Sequence, residues 1–197
     1  MSILSPEDHL AIFVTKEITL RRVDLPDAPA LFSIIDSQRE YLGKWLPFVS
    51  LTSDVRQTEN YIGYVNIFPP ETREDVLTIS FEGVICGLIT LKSKDNFNRK
   101  CEIGYWLSQD YQKKGIMTLS AAALCKYAFT ELYMNRITIR CAAGNIPSKK
   151  IPKRLGFRFE GFERDGELLA DGNFTDLEVY SLLKREWESS FTQNSKQ

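Results

Sequence analysis

Between Glu102 and Leu124 the chain reads EIGYWLSQDYQKKGIMTLSAAAL, a strand-like apolar run, a polar loop with two lysines and a glycine, and a small-residue stretch. DVLTISF and VICGLITL come before it, so that with KCEIGYWL three β-like runs stand in a row. Glu82-Gly83 forms a tight hairpin turn between the first two, and KSKDNFNRK is a longer connection into the third, which makes antiparallel pairing of all three the economical topology. After the loop from Ser108 to Lys114, apolar residues recur at 116, 119, 123, 124, 127 and 128 with no interior Gly or Pro. That spacing predicts a helix from Gly115 to Leu132.

The remaining elements follow from similar signals. EITLRRV (Glu17 to Val23) alternates as a strand, and Asp24 caps a helix reaching about Ser37. REYLGKWLPFVS, broken by Gly43 and Pro47, reads as a loop with a short helical turn. A second helix spans Ser53 to Phe68, capped by Ser53 or Asp54 and stopped by Pro69-Pro70. RITIRCAA is a strand, SKKIPKRLG a short helix ending at Gly156, and FRFEGFER and DLEVYSLLK the last two strands. The tail SSFTQNSKQ is polar and expected to fray. This order predicts an α/β (α+β) fold, a mixed, mostly antiparallel sheet of about seven strands with helices on its faces. With 197 residues, 43% of them hydrophobic, residues 1–197 form one domain, its core about 17–187 and its polar tail 188–197.

Composition removes several functions. A net charge of −1 lacks the bulk footprint of a nucleic-acid binder, so no DNA partner is expected. Glu7 and Asp8 stand where a signal peptide has basic residues, and no apolar stretch is long enough to span a membrane, so a cytoplasmic protein is expected. The single histidine, His9, lies near an N-terminus expected to be mobile, which removes most His-built zinc sites and any interior Ser-His-Asp triad, and no metal is expected. Cys86, Cys101, Cys125 and Cys141 are far apart, form no CxxC pair and sit in apolar segments, the pattern of buried free thiols.

A glycine loop entering a helix leaves backbone N–H groups unpaired at one spot, where the helix dipole adds about half a positive charge. Such a spot binds phosphate. Gly115 allows close approach, and Lys113 and Lys114 add charge at the rim. The GxxxxGK[ST] spacing of a Walker loop is missing, and a purely structural turn with solvated lysines shows the same pattern.

EIGYWLSQDYQKKGIM and the small-residue helix after it resemble the acetyl-CoA signature of the GNAT N-acetyltransferases, whose loop reads Q/R-x-x-G-x-G/A. Gln112 and Gly115 match, and Met117 replaces the final small residue. WLPF (Trp45 to Phe48), NRKCEIGYWL, GNIPSKKIPKRLGF and GFERDGELLADGNFTDLEVYSLLKREW together resemble the Rim-type branch, the N-terminal acetyltransferases of ribosomal proteins, from about residue 17 to 187. The resemblance implies the GNAT acyl-CoA N-acyltransferase fold and acetyl-CoA as co-substrate. It implies that Tyr105, Trp106 and Leu107 lie on a splayed strand whose backbone bonds the pantetheine arm, and that Gln112, Lys113, Lys114, Gly115, Ile116, Met117 and Thr118 form the phosphate loop. Asn145 and Ser148 match the branch's N-x-x-S motif, in which Asn145 bonds the pantetheine arm and Ser148 protonates the departing thiolate. Lys153, in a cluster with Lys149, Lys150 and Arg154, has the CoA phosphates as a target, and a solvated helix face is the alternative.

Each of these residues has a plainer reading. Glu102 sits in an otherwise apolar strand, where a carboxylate needs an ion-pair partner, exposure or a task. The resemblance makes it the group that binds the acceptor amine and takes its proton. Glu167, in a hairpin that closes over the acceptor in the Rim branch, is a second candidate base, with loop exposure as the rival. Ser148 also looks like a helix N-cap, which would occupy its hydroxyl. Pro152 lacks the N–H that would bond the Ser148 carbonyl, freeing that oxygen for a ligand or water. Trp45 and Leu46 wall the acceptor groove, although exposed interface aromatics would look the same.

The reaction expected is direct acetyl transfer from acetyl-CoA to an amine, since no nucleophile–base pair is visible. An α-amine titrates near 8 and a lysine near 10.4, so at pH 7 their neutral fractions differ by roughly a few hundred-fold. That favours a chain N-terminus, and the Rim resemblance implies a ribosomal protein, the acidic stalk protein above all. A polyamine or aminoglycoside acetyltransferase and a non-catalytic acyl-CoA sensor remain the alternatives, and the sequence leaves homo-oligomer formation open.

Overall fold

The computed structural model describes residues 10–69 and 72–194, so His9, Glu7, Asp8 and Pro70 lie outside the described residues. Strand β1 (Ala11–Phe13) pairs antiparallel with β2 (Ile18–Arg22), β2 with β3 (Asp75–Phe81), β3 with β4 (Val84–Asp95), and β4 with β5 (Lys100–Leu107). The sheet continues through β6 (Arg136–Ala142), parallel to β5, and ends with β8 (Phe174–Leu183) and then β7 (Arg158–Leu168) at the edge. Among the described residues eight strands form it, one more than the about seven expected, because β1, only three residues long, is too short to show an alternating pattern. Glu82 and Gly83 both have positive φ, 51° and 81°, the geometry of a two-residue hairpin turn. Pairing of β7 with β8 shifts register at Phe159/Gly161 and again at Glu163/Glu167.

Asp24 and Asp27 form a reciprocal capping box that starts a short turn leading into α1 (Ala28–Ser37). The segment expected as a loop with a short helical turn holds two short helices, α2 (Arg39–Gly43) and α3 (Phe48–Leu51), and α4 (Val55–Ile67) begins at an Asp54 cap answered by Gln57. The long helix α5 (Ile116–Thr130) and α6 (Ile146–Arg154) follow β5 and β6. Helix α7 (Lys184–Asn194) extends into the segment expected to fray, with the Trp187 ring 5.4 Å from the buried Phe129 ring, and residues 195–197 lie outside the described residues.

Strand alternation sends side chains into two cores. Ile89, Leu91, Ile103, Ile137 and Ile139 pack with Leu124 and Phe129 of α5 on one face. Leu88 and Trp106 join Leu31, Ile35 and Ile62 of α1 and α4 on the other.

Strands β5 and β6 pair only at Lys100–Arg136, Cys101–Ile137 and Glu102–Thr138. Beyond Glu102 they part, and β5 is held by β4 alone as far as Leu107, which faces Gly87. There the backbones approach closely, since a Cβ on Gly87 would stand 2.4 Å from the Trp106 carbonyl oxygen. Gly87→Ala should therefore push β5 away from β4. Overpacking of this kind costs about 1–3 kcal/mol, so a melting temperature several degrees lower is the expected result in thermal unfolding.

Candidate active site

The open end of β5 leads into a braced loop. The Gln38 side chain donates to Ser108 Oγ at 2.9 Å and accepts from the Gln109 N–H at 2.8 Å, and the Gln112 amide donates to the Tyr41 hydroxyl. Gly115 then caps α5 in the left-handed region, φ 78°, with no side-chain cap on the first turn. Nothing lies within 4 Å of a Cβ placed there, so the glycine answers to its dihedral rather than to crowding.

Along this loop runs a cavity of about 570 Å³. Gln112, Lys113, Gly115, Ile116, Met117 and Thr118 line one end, and Tyr105, Trp106 and Leu107 of β5 form a wall. Pro147, Lys150, Ile151 and Arg154 of α6 face them, the i, i+3, i+4, i+7 stripe of one helix face. Lys153 is not on that stripe. Its ammonium lies 5.8 Å from the Tyr180 ring, and Lys149 pairs with Glu178 at 2.5 Å, so Lys150 and Arg154 are the α6 cations in the groove. Lys114 also turns aside, over the rings of Tyr111 at 5.0 Å and Phe81 at 5.5 Å.

A second chamber of about 470 Å³ opens beyond the same wall, lined among others by Glu74, Thr90, Lys92, Glu102, Arg140 and Glu167. The two cavities share Trp45, Leu46, Tyr105, Trp106, Asn145 and Ser148, the place where their contents can meet. Trp45 is seated there by Gly144, because a Cβ on Gly144 would come within 2.7 Å of the indole.

At this junction Ser148 is not the helix cap. Asn145 is, its side-chain oxygen accepting the Ser148 N–H at 3.2 Å, which leaves the Ser148 hydroxyl free of that duty. The capping takes one lone pair of the Asn145 oxygen, which leaves its second lone pair and its amide N–H groups for a ligand. The carbonyl freed by Pro152 has found a partner within the protein: the Tyr105 hydroxyl donates to the Ser148 oxygen at 3.0 Å. Ser148 Oγ lies 3.3 Å from Cys141 Sγ and 3.4 Å from the Tyr105 oxygen. Burial raises the pKa of both the Tyr105 phenol and the Cys141 thiol, so both stay protonated beside the Ser148 hydroxyl, with the Tyr105 proton held by the Ser148 carbonyl. All four cysteines are buried and free, and burial lifts Cys86 and Cys101 to about 12.

The two candidate bases differ sharply in company. Glu102 has a side chain only 12% exposed, with Lys92 at 3.2 Å on one oxygen and Arg140 at 2.9 Å on the other. Arg140 also reaches Glu163 at 2.9 Å. Glu167 is exposed on β7 and, among the described residues, its carboxylate has no hydrogen bond or ion pair. Sequence reasoning missed Glu74, which carries no local signal in a short polar loop and reaches the chamber only through the fold. Among the described residues no cluster could hold a metal, and no helix is long and apolar enough to cross a membrane.

Residues 17–158 match the acetyltransferase (GNAT) domain family. The chain is 39% identical over 182 residues to the Bacillus subtilis (strain 168) protein named "Putative ribosomal N-acetyltransferase YdaF", covering 89% of this chain and 96% of that one. It is 26% identical over 181 residues to the ribosomal-protein-serine acetyltransferase of Escherichia coli (strain K12), covering 87% and 96%. Among solved structures it resembles the microcin C7 self immunity acetyltransferase MccE in complex with acetyl-CoA and AMP, with a TM-score of 0.83, 26% identity, and 91% and 98% of the chains covered.

Tyr105→Phe should leave the Ser148 carbonyl without a donor, because Pro152 cannot supply one. The loss is about 1 kcal/mol, read as a lower melting temperature. Adding Pro152→Ala restores a backbone N–H four residues along, so the double variant should recover stability that the single variant lost.

Proposed function

Because the chain belongs to the GNAT acetyltransferase family, we propose that it moves the acetyl group of acetyl-CoA directly to the α-amine at the N-terminus of a ribosomal protein. The observation that carries this reading is the meeting of two cavities at one wall, a basic one beside the Gly115 helix start and an acidic one beyond it. Lys113, Lys150, Arg154 and the uncapped first turn of α5 suit an anionic diphosphate arm. The volume and the mixed apolar walls suit the pantetheine chain, which delivers its thioester to Ser148. The names of the Bacillus and Escherichia relatives support a ribosomal acceptor.

In this mechanism Glu167, the unpaired carboxylate, takes the proton of the acceptor amine, directly or through water. Glu102 already has a cation on each oxygen and serves to fix Arg140 and Lys92 in the chamber wall. The neutral amine then forms the new C–N bond as the C–S bond breaks. The part of β5 beyond Glu102, without a β6 partner, offers backbone N–H groups to the carbonyl oxygen as it gains charge. Ser148 Oγ donates its proton to the departing sulfur and regains one from the second proton that the newly acylated nitrogen sheds, with Tyr105 and Cys141 beside it.

A small-molecule acceptor is the second reading, favoured by the likeness to MccE, whose complex holds AMP. Incubation with acetyl-CoA and a panel of ribosomal proteins, polyamines and aminoglycosides separates the two. Fragmentation mass spectrometry should place one acetyl group on a protein α-amine. Acetylation of lysines alone, or of small amines alone, overturns the protein N-terminus.

Ser148→Ala should lower kcat about 100-fold with little change in the KM for acetyl-CoA, as expected for a leaving-group acid. Glu167→Gln should slow the reaction at neutral pH and regain much of the rate above pH 8, where an α-amine is neutral without help.

A further inference from the structure

We propose that Glu74 is a specificity-determining residue, which with Glu167 makes the acceptor chamber select an N-terminus bearing a second positive charge within its first few residues. This deepens the protein α-amine reading and rests on it.

Charge bookkeeping around the chamber carries the inference. Its charged lining residues are Glu74, Lys92, Glu102, Arg140 and Glu167. Lys92 and Arg140 are both engaged with Glu102, and Arg140 again with Glu163, so these four charges cancel. Glu74 and Glu167 are left without an ion pair or hydrogen bond among the described residues. Between Arg164 and Asp176 the β7–β8 hairpin that carries Glu167 holds Asp165, Asp171 and Asp176 as well, against Arg164 alone. The neighbouring cavity is lined by Lys113, Lys150 and Arg154 and by no acid, so the charge changes sign across the wall that holds Ser148.

One α-ammonium occupies one carboxylate. Glu167 receives that proton and Glu74 retains an unmatched charge. Glu74 stands exposed at the rim, yet the protein around it desolvates it enough to raise its pKa; Lys92 opposes the shift, Glu102 adds to it and Lys94 opposes it. A carboxylate whose charged form is disfavoured in the empty chamber gains when a ligand brings a cation. A lysine or arginine near the acceptor N-terminus meets that need, with a long flexible arm ending in a charge. An acidic N-terminal segment meets two unmatched carboxylates of its own sign, so the acidic stalk protein expected from the sequence becomes the poorer acceptor.

The test compares peptides identical except at positions two to four, which carry lysine, glutamine or glutamate, together with spermidine. Wild type, Glu74→Gln and Glu74→Lys are assayed at low and high salt, with products mapped by mass. Each enzyme is judged by its ratio of kcat/KM for the lysine and glutamate peptides, a ratio that cancels any loss of folded enzyme. Wild type should favour the lysine peptide about tenfold at low salt and less at high salt. Glu74→Gln should shrink the ratio severalfold, and Glu74→Lys should bring it to one or below. Equal rates on the peptide α-amines, preference for glutamate, or a lysine preference unchanged in both variants overturns the role of Glu74 and leaves the protein reading standing. Turnover of spermidine alone, sensitive to Glu74, keeps the second charge and overturns the protein acceptor. Turnover of none of them overturns both.

Discussion

The parting of β5 and β6 after three paired residues governs everything else in this molecule. A strand inside a sheet has its backbone groups satisfied on both sides, and β5 gives up one side from Ile103 onward. That leaves β4 as its only ladder, which explains why Gly87 lets the two backbones come so close at Leu107. Across the gap α6 brings Ser148 up against Tyr105 of β5. Both cavities are consequences of this opening, one toward the loop and one toward the hairpin.

Around the opening, each polar group is steered by what its neighbour cannot do. Pro152 cannot donate, so the Ser148 carbonyl takes the Tyr105 hydroxyl, tying α6 to β5 across the gap. Asn145 takes the capping role, so the Ser148 hydroxyl stays available. Lys92 and Arg140 hold Glu102, and Glu167 is left open to solvent. Two carboxylates on one chamber are thereby set in different environments, one held by two cations and one unpaired.

The sequence disclosed the parts of this design that depend on local rules. The Glu82-Gly83 turn, the alternating strands and the glycine before α5 each announce a dihedral or a period, and the fold has them where expected. The cap of α6 is open to two readings in the sequence: Asn145 and Ser148 are both favourable caps, and Pro147, suited to a first helical turn, distinguishes them in favour of Asn145. Helical spacing likewise separates Lys150 and Arg154 from Lys153 once Ile151 is known to face the groove. Two features had no local signal. Helix α7 is mostly polar and is held by Trp187 against a ring over fifty residues away in the chain, and Glu74 reaches the chamber only because β3 lies beside β4.

The irregular pairing of β7 has a consequence for solution behaviour. An eight-stranded open sheet has two edges, and β1, three residues long, leaves little of one to template another chain. Strand β7, eleven residues long and largely exposed, is the greater hazard for edge-to-edge aggregation. Its two register shifts bend it out of a regular ladder, and Arg158, Glu160, Glu163, Arg164, Asp165 and Glu167 charge it along its length. The distortion that carries Glu167 to the acceptor chamber therefore also guards the sheet against recruiting strands from its own kind.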